Sequence, residues 1–147
     1  MNYIDEAYKQ ALKAYRLDEV PVGAIIVKDN KIIARAYNKK ESNNNPLGHA
    51  ELIAISKASK KLNSWRLNEC DIYVTLEPCS MCLSALIQSR IKNIYYGCKD
   101  FKNGAIEGAF NLLEKGKFNH IPNTLCLEEK KCSLILKDYF RNKRVNK

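Results

Sequence analysis

One spacing constrains this chain more than any other. His49-Ala50-Glu51 is answered far downstream by Glu77-Pro78-Cys79-Ser80-Met81-Cys82. The form H-x-E followed by P-C-x-x-C supplies one imidazole, two thiols and a carboxylate. The first three suit a zinc ion, and three protein ligands leave the fourth tetrahedral position open to water. That open position separates a catalytic zinc from a closed structural one. Glu51 need not ligate and is left to act as general base on the acidified water. The fold must bring two distant segments together, and the chemistry reads as that of a zinc-water hydrolase.

The local setting gives the spacing a physical reason. Pro78 suits the opening turn of a helix, here running to about Ser89. Cys79 and Cys82, three residues apart, then share one face of that first turn. Free amides and the positive end of the helix dipole lower thiol pKa values, and thiolate is the form that binds metal. His49 begins another helix, reaching about Lys61 with Leu52, Ile53, Ile55 and Ala58 on its apolar side. Two helix N-termini facing each other can share one ion. Each residue alone has a plain explanation: a lone histidine is usually structural, and a lone C-x-x-C arises by chance. The full set, with Pro78 and two helix starts, points to zinc.

Four further cysteines compete as ligands. Cys70 lies at the opposite end of a strand from Cys79, roughly 20 Å away for six residues. Cys98 follows a strand parallel to that one, so it reaches the same sheet edge and stands as the alternative fourth ligand. It would close the site and leave Glu51 without a task. Cys126 and Cys132 read as buried or incidental thiols. With no secretory signal at Met1-Asn2-Tyr3-Ile4-Asp5-Glu6, six irregularly spaced cysteines favour metal or free thiols over disulfides. The expected compartment is the cytoplasm, and no apolar run approaches the ~20 residues of a membrane span.

The remaining pattern predicts the frame. Ile4, Ala7, Tyr8, Ala11, Leu12 and Tyr15 mark one face of an opening helix, broken before Pro21. Val22–Val27 and Lys31–Tyr37 read as a hairpin turned at Asp29-Asn30. A long polar loop, 38–48, precedes His49, and a loop of that length beside a ligand is usually functional. Asp71–Leu76 and Asn93–Gly97 are further strands, 99–108 is a loop, Phe110–Lys115 a short helix and Thr124–Leu127 a last strand. Lys130–Arg144 closes the chain as a helix. Strands alternating with helices predict an α/β fold: a three-layer α/β/α sandwich around a mixed, mostly parallel five-stranded sheet. At 147 residues, without repeat or linker, the chain reads as one domain over 1–147.

Charge narrows the partner. Lys and Arg number 25 against 16 Asp and Glu, a formal net charge of +9. Such a balance suits a polyanion, nucleic acid above all. It is concentrated at the end: Lys130, Lys131, Lys137, Arg141, Lys143, Arg144 and Lys147 face Asp138 alone, seven minus one, or +6. Tyr139 and Phe140 interleave aromatics able to stack on single-stranded bases. The plain alternative is a solvated helix end with Leu134, Ile135 and Tyr139 in the core.

These residues resemble the zinc-dependent nucleobase deaminases, whose signature is H-x-E with P-C-x-x-C. Within them the chain resembles the bacterial tRNA-specific adenosine deaminases over nearly its whole length. The likeness rests on Glu19-Val20-Pro21-Val22-Gly23-Ala24, Asn38, His49-Ala50-Glu51, Val74-Thr75-Leu76-Glu77-Pro78-Cys79 and Ser89-Arg90-Ile91. It continues through Gly97, Asp100, Lys102, Gly104-Ala105, Phe118-Asn119-His120 and Tyr139-Phe140-Arg141. By that likeness one zinc ion per subunit is held by His49, Cys79 and Cys82, its hydroxide attacks C6 of adenine, and Glu51 shuttles protons. The resemblance places Asn38 against the base, Val22 in the pocket wall, and Asp100, Lys102, His120, Phe140, Arg141 and Arg144 along the RNA. It implies a wobble adenosine flipped from a tRNA anticodon loop, and a homodimer whose sites are completed near the subunit boundary.

The sequence also departs from that family. Leu47-Gly48 replaces its usual threonine-alanine, the 104–108 loop is one residue longer and carries Glu107, and Cys98 stands where alanine is usual. Two other functions fit the motifs: deamination of a free base or nucleoside of guanine or cytosine type, and a non-catalytic zinc-stabilised RNA-binding module. The +6 end argues against the first and Glu51 against the second.

Overall fold

The computed structural model describes residues 2–145. Its elements, in chain order, are α1 (Tyr3–Arg16), β1 (Gly23–Lys28), β2 (Lys31–Tyr37), α2 (Ala50–Leu62) and β3 (Cys70–Leu76). There follow α3 (Ser80–Gln88), β4 (Asn93–Cys98), α4 (Leu112–Lys115), β5 (Asn123–Cys126) and α5 (Lys130–Val145). Lys147, counted above in the basic end, lies outside the described residues. Among the described residues no helix is long and apolar enough to cross a membrane.

The strands form one sheet in the order β2-β1-β3-β4-β5. β1 pairs antiparallel with β2 and β3, whereas β3, β4 and β5 run parallel. A hairpin needs only a tight turn, and Asp29 and Asn30 supply it with φ of 51° and 61°. Parallel neighbours need a crossover, which α3 provides between β3 and β4. The expected mixed sheet is therefore present, with its parallel half where strands and helices alternate.

Period-two alternation assigns the layers. Ile25 and Val27 of β1 cluster with Ile4 and Ala7 of α1. Ala24 and Ile26, on the opposite face, cluster with Ala50, Ala54 and Ala58 of α2. α1 lies so close to β1 that a Cβ on Gly23 would overlap the Ala7 carbonyl. α5 joins α1: the Tyr15 hydroxyl donates to Asp138, and the Tyr15 and Tyr139 rings meet edge-on at 6.2 Å. Burying each of Ile25, Ile26, Ile72 and Ile94 contributes about 1.5–3 kcal/mol. Solvent screens surface ion pairs such as Lys9–Glu6, so apolar packing rather than charge sets the layers.

One boundary differs usefully from expectation. α3 starts at Ser80, and Cys79 is its N-cap, extended at φ −74°, ψ 175°. The backbone stays extended through Pro78 because Cys79 pairs with Gly104 in an isolated antiparallel bridge. The two cysteines thus straddle the helix start instead of sharing its first turn.

Candidate active site

β3 and β4 end together, Leu76 beside Cys98, and a cleft opens there in front of the N-termini of α2 and α3. Ligands of α/β sheets gather at this carboxyl edge because the loops that leave it converge. The cleft encloses about 1160 Å³, above the roughly 300–1,000 Å³ usual for small-molecule sites.

At its floor, His49 caps α2 and Cys79 caps α3. His49 Nδ1 lies 3.9 Å from Cys79 Sγ and 3.5 Å from Cys82 Sγ. The three donor atoms all fall within 4.8 Å of one another, a group of the size that holds one metal ion. Zinc–sulfur and zinc–nitrogen bonds of about 2.3 and 2.05 Å at a tetrahedral angle set nitrogen and sulfur about 3.6 Å apart. The two measured separations bracket that value, so the donor set fits a zinc ion. All six cysteines are free thiols. Cys98 is not in the donor group; its Sγ donates to the Thr75 carbonyl at 3.4 Å, and burial pushes its thiol up to about 12. Cys70 is buried at the far end of β3, opposite Lys28.

The donor atoms share protons closely. Cys79 is held down to about 4, first by a hydrogen bond from Cys82 and then by one from His49. Cys82, the donor of that pair and fully buried, is pushed strongly up, and His49 is raised by its bond to Cys79. A bound dication replaces these protons. Glu51, on the first turn of α2 and 4% exposed, is raised to about 7 by burial. A carboxyl poised near neutrality can take up a proton and return it.

Two walls frame this floor. Asn38 is fixed by its side-chain amide donating to the Val20 carbonyl at 3.3 Å and its Oδ1 accepting from the Lys40 amide at 3.1 Å. Val22, Asn38 and Lys40 line one side. Behind them, the buried Glu19 carboxylate accepts from the Glu41 amide at 3.0 Å and from both the amide and hydroxyl of Ser42. On the other side, buried Glu77 accepts four backbone amides: Asp100 at 3.0 Å, Ile106 at 2.9 Å, Glu107 at 2.7 Å and Gly108 at 2.9 Å. Two carboxylates therefore act as cores for the two loops that flank the cleft. Sequence reading missed both roles, although Glu77 adjoins Pro78 and Glu19 stands two residues before Pro21.

The other expected site residues divide. Asp100, Lys102 and Phe140 line the cleft together with Asn38 and Val22. The Asp100 carboxylate also accepts from the Lys102 and Asn103 amides, both at 3.0 Å, so it shapes its own loop. His120 stands apart: its Nε2 meets the Ile91 carbonyl at 2.6 Å, just before β4 and hence at the opposite sheet edge. Arg141 pairs with Asp138 at 2.6 Å, and neither it nor the exposed Arg144 lines the cleft. Lys130 and Lys137, of the basic end, do line it, and so do Lys99, Phe101 and Phe110, none of which the sequence singles out as a contact.

A cysteine–cysteine–histidine donor set with a buried glutamate, at the carboxyl edge of a mixed five-stranded α/β sheet, defines the deaminase class. The sequence pattern of the MafB19-like deaminase family matches residues 1–144. A tRNA-specific adenosine deaminase of Bacillus subtilis (strain 168) is 40% identical over 146 residues, spanning 99% of this chain and 91% of that one. A structure from work on A-to-I editing by tRNA:A34 deaminases at the wobble position of transfer RNA superposes with a TM-score of 0.88. It is 38% identical and covers 91% of this chain and 98% of its own. A guanine deaminase from Bacillus subtilis, 31% identical, superposes at 0.66 and covers 97% and 95%. The chain belongs to the MafB19-like deaminases and, within them, to the family of tRNA-specific adenosine deaminases.

Proposed function

We propose that this protein hydrolyses adenosine to inosine at the wobble position of a tRNA. The observation that carries the chemistry is the buried Glu51, whose carboxyl hydrogen-bonds Cys82 and feels the charges of Cys79 and His49 on the cleft floor. The adenosine substrate rests on relatives of nearly equal length that bear that activity in their name. Support for RNA comes from a lip carrying Lys40, Lys99, Lys102, Lys130 and Lys137.

Water adds to C6 of adenine, a C–O bond forms, the C6–N bond breaks, and ammonia leaves. His49, Cys79 and Cys82 would hold a zinc ion there, which would supply a Lewis acid able to acidify this water. Glu51 takes the proton of the water and delivers it towards the departing amine, which its near-neutral pKa allows in both directions. Asn38, fixed at two atoms, offers its remaining amide capacity to the base edge, and Val22 closes the pocket beside it. Asp100, Lys102 and Phe140 lie along the RNA at the lip, with Arg141 and Arg144 further out and His120 acting on fold rather than on substrate.

The protein works as one domain over 1–147, in the cytoplasm where tRNA resides, and as a homodimer by its family. The second reading, a free-base deaminase, is favoured by the 31% identity to a guanine deaminase. Incubating zinc-loaded protein with an anticodon stem-loop bearing a wobble adenosine decides between them. Inosine in the RNA is expected; no inosine, with ammonia released from guanine or cytosine compounds, would replace this reading by the second.

A further inference from the structure

Phenylalanine is distributed unevenly over this molecule. The chain has four, and three are exposed: Phe101 at 78%, Phe110 at 42% and Phe140 at 44%. All three line the cleft. Single exposed apolar residues are ordinary, but three of one bulky type around one mouth require a partner with apolar faces. Phe140 is already placed on the RNA by family likeness. Phe101 is the most exposed of them and has no assigned role.

Its loop is built to hold it still. Glu77 ties the amides of Asp100, Ile106, Glu107 and Gly108, the Asp100 carboxylate ties those of Lys102 and Asn103, and the Asp100 carbonyl accepts from Gly104 at 2.9 Å. Ala105 donates to the Pro78 carbonyl at 3.0 Å, and Gly104 bridges Cys79 itself. Phe101 therefore projects from a segment whose backbone is fixed relative to a metal-ligand candidate. A ring presented at 78% exposure by a rigid loop spares the cost of ordering that loop on binding, which favours affinity.

The charge around it selects the partner. Lys99 and Lys102 flank Phe101 in sequence, and Lys130 and Lys137 line the same cleft from α5. Lys99 pairs with Glu107 at 3.5 Å; Lys102, Lys130 and Lys137 pair with no acid among the described residues. An apolar ring set among free cations fits a chain with aromatic faces and a polyanionic backbone, which is single-stranded RNA.

We propose that Phe101 is a stacking platform for an unpaired base next to the reacting adenosine, held in place by Glu77 and Asp100. The inference deepens the deaminase reading and rests on it for the identity of the RNA. It makes Phe101 a determinant of which flanking nucleotide the protein prefers, since stacking strength differs among bases.

The test uses zinc-loaded protein, an anticodon stem-loop with a wobble adenosine, and the same RNA carrying 2-aminopurine on either side of it. Wild-type protein should change the fluorescence of one flanking 2-aminopurine, and Phe101→Ala should abolish that change. Loss of one stacked base should weaken binding roughly 5- to 150-fold, and Phe101→Trp should restore both signals. The loss should appear in Kd and KM more than in kcat, because Phe101 does not touch the reacting atoms. Unchanged affinity and unchanged fluorescence in Phe101→Ala would overturn the proposal. So would a drop in oligomeric state with normal stacking, which would assign Phe101 to contact with a second copy of the chain. Affinity and fluorescence are read without turnover. Absence of inosine from wild-type protein therefore defeats the deaminase reading, while Phe101→Ala still decides whether the base stacks.

Discussion

The Glu107 amide donates to the Glu77 carboxylate at 2.7 Å, across thirty residues of chain. This contact fixes the backbone of Glu107, the acidic residue of the 104–108 loop. Its side chain pairs with Lys99 at 3.5 Å instead of entering the cleft unpartnered. Glu77 thereby links the loop that lines the cleft to Pro78 and Cys79, the two residues that follow it in sequence.

Removing that acceptor should loosen the loop before it unfolds the protein. Glu77→Ala leaves four amides without their partner, at a cost on the order of 1–3 kcal/mol for each that stays buried. Glu77→Gln keeps one acceptor oxygen and should fall between. Hydrogen exchange at Ile106, Glu107 and Gly108 should accelerate in the order wild type, Gln, Ala, whereas amides in β1 should change little. Uniform acceleration throughout the sheet would show that Glu77 supports the whole fold and not this loop.

Glu51→Gln should lower turnover by at least about 10²–10⁴-fold, the usual contribution of a positioned proton donor and acceptor. Zinc content should remain near one per chain, because the donors are His49, Cys79 and Cys82. Metal analysis and inosine formation on the same preparation separate the two effects. A variant that retains turnover would remove Glu51 from the mechanism.

Burial of Glu51 also predicts a pH effect on the metal-free protein. Its carboxyl is raised from 4.5 to about 7, so the folded state holds this proton more tightly than the unfolded state. The group's contribution to stability is therefore fully present below 4.5, declines as pH rises to about 7, and is constant beyond. At pH 8, Glu51→Gln should be the more stable protein by on the order of 3 kcal/mol. Near pH 4.5 the two should differ far less. Thermal melts of chelator-treated wild type and variant across that range measure the difference. A difference independent of pH would place the carboxylate in water.

The salt dependence of RNA binding should map to the lip and not to the end of α5. Lys102 and Lys137 line the cleft, whereas Arg141 is held by Asp138 outside it. Lys102→Ala and Lys137→Ala should each reduce the slope of log K against log salt by roughly 0.7. Arg141→Ala should change it less. Substitution is preferable to truncation after Lys137, which would strip Tyr139, a buried residue whose hydroxyl donates to the Asp18 carbonyl at 3.1 Å. A larger slope change for Arg141→Ala would move the RNA path towards the helix end.

The sequence by itself determined which metal-donor side chains come together and in what order the elements come. His49, Glu51, Cys79 and Cys82 were legible because ligand chemistry demands particular side chains at short spacings beside helix starts. The hairpin was legible because Asp29-Asn30 tolerates the left-handed backbone a tight turn needs. Tertiary structure alone decided the rest. Glu77 and Glu19 look like surface acids until the loops that fold over them, more than twenty residues away, bring amides to their carboxylates. His120 and Arg141, similar in sequence terms to cleft residues, are directed elsewhere by sheet order and by Asp138. Phe101 reads as one more apolar residue; only its exposure in the folded chain sets it apart. Local spacing encodes contacts made within a helical turn or a hairpin. Partners from distant segments are fixed only when the sheet has ordered its strands.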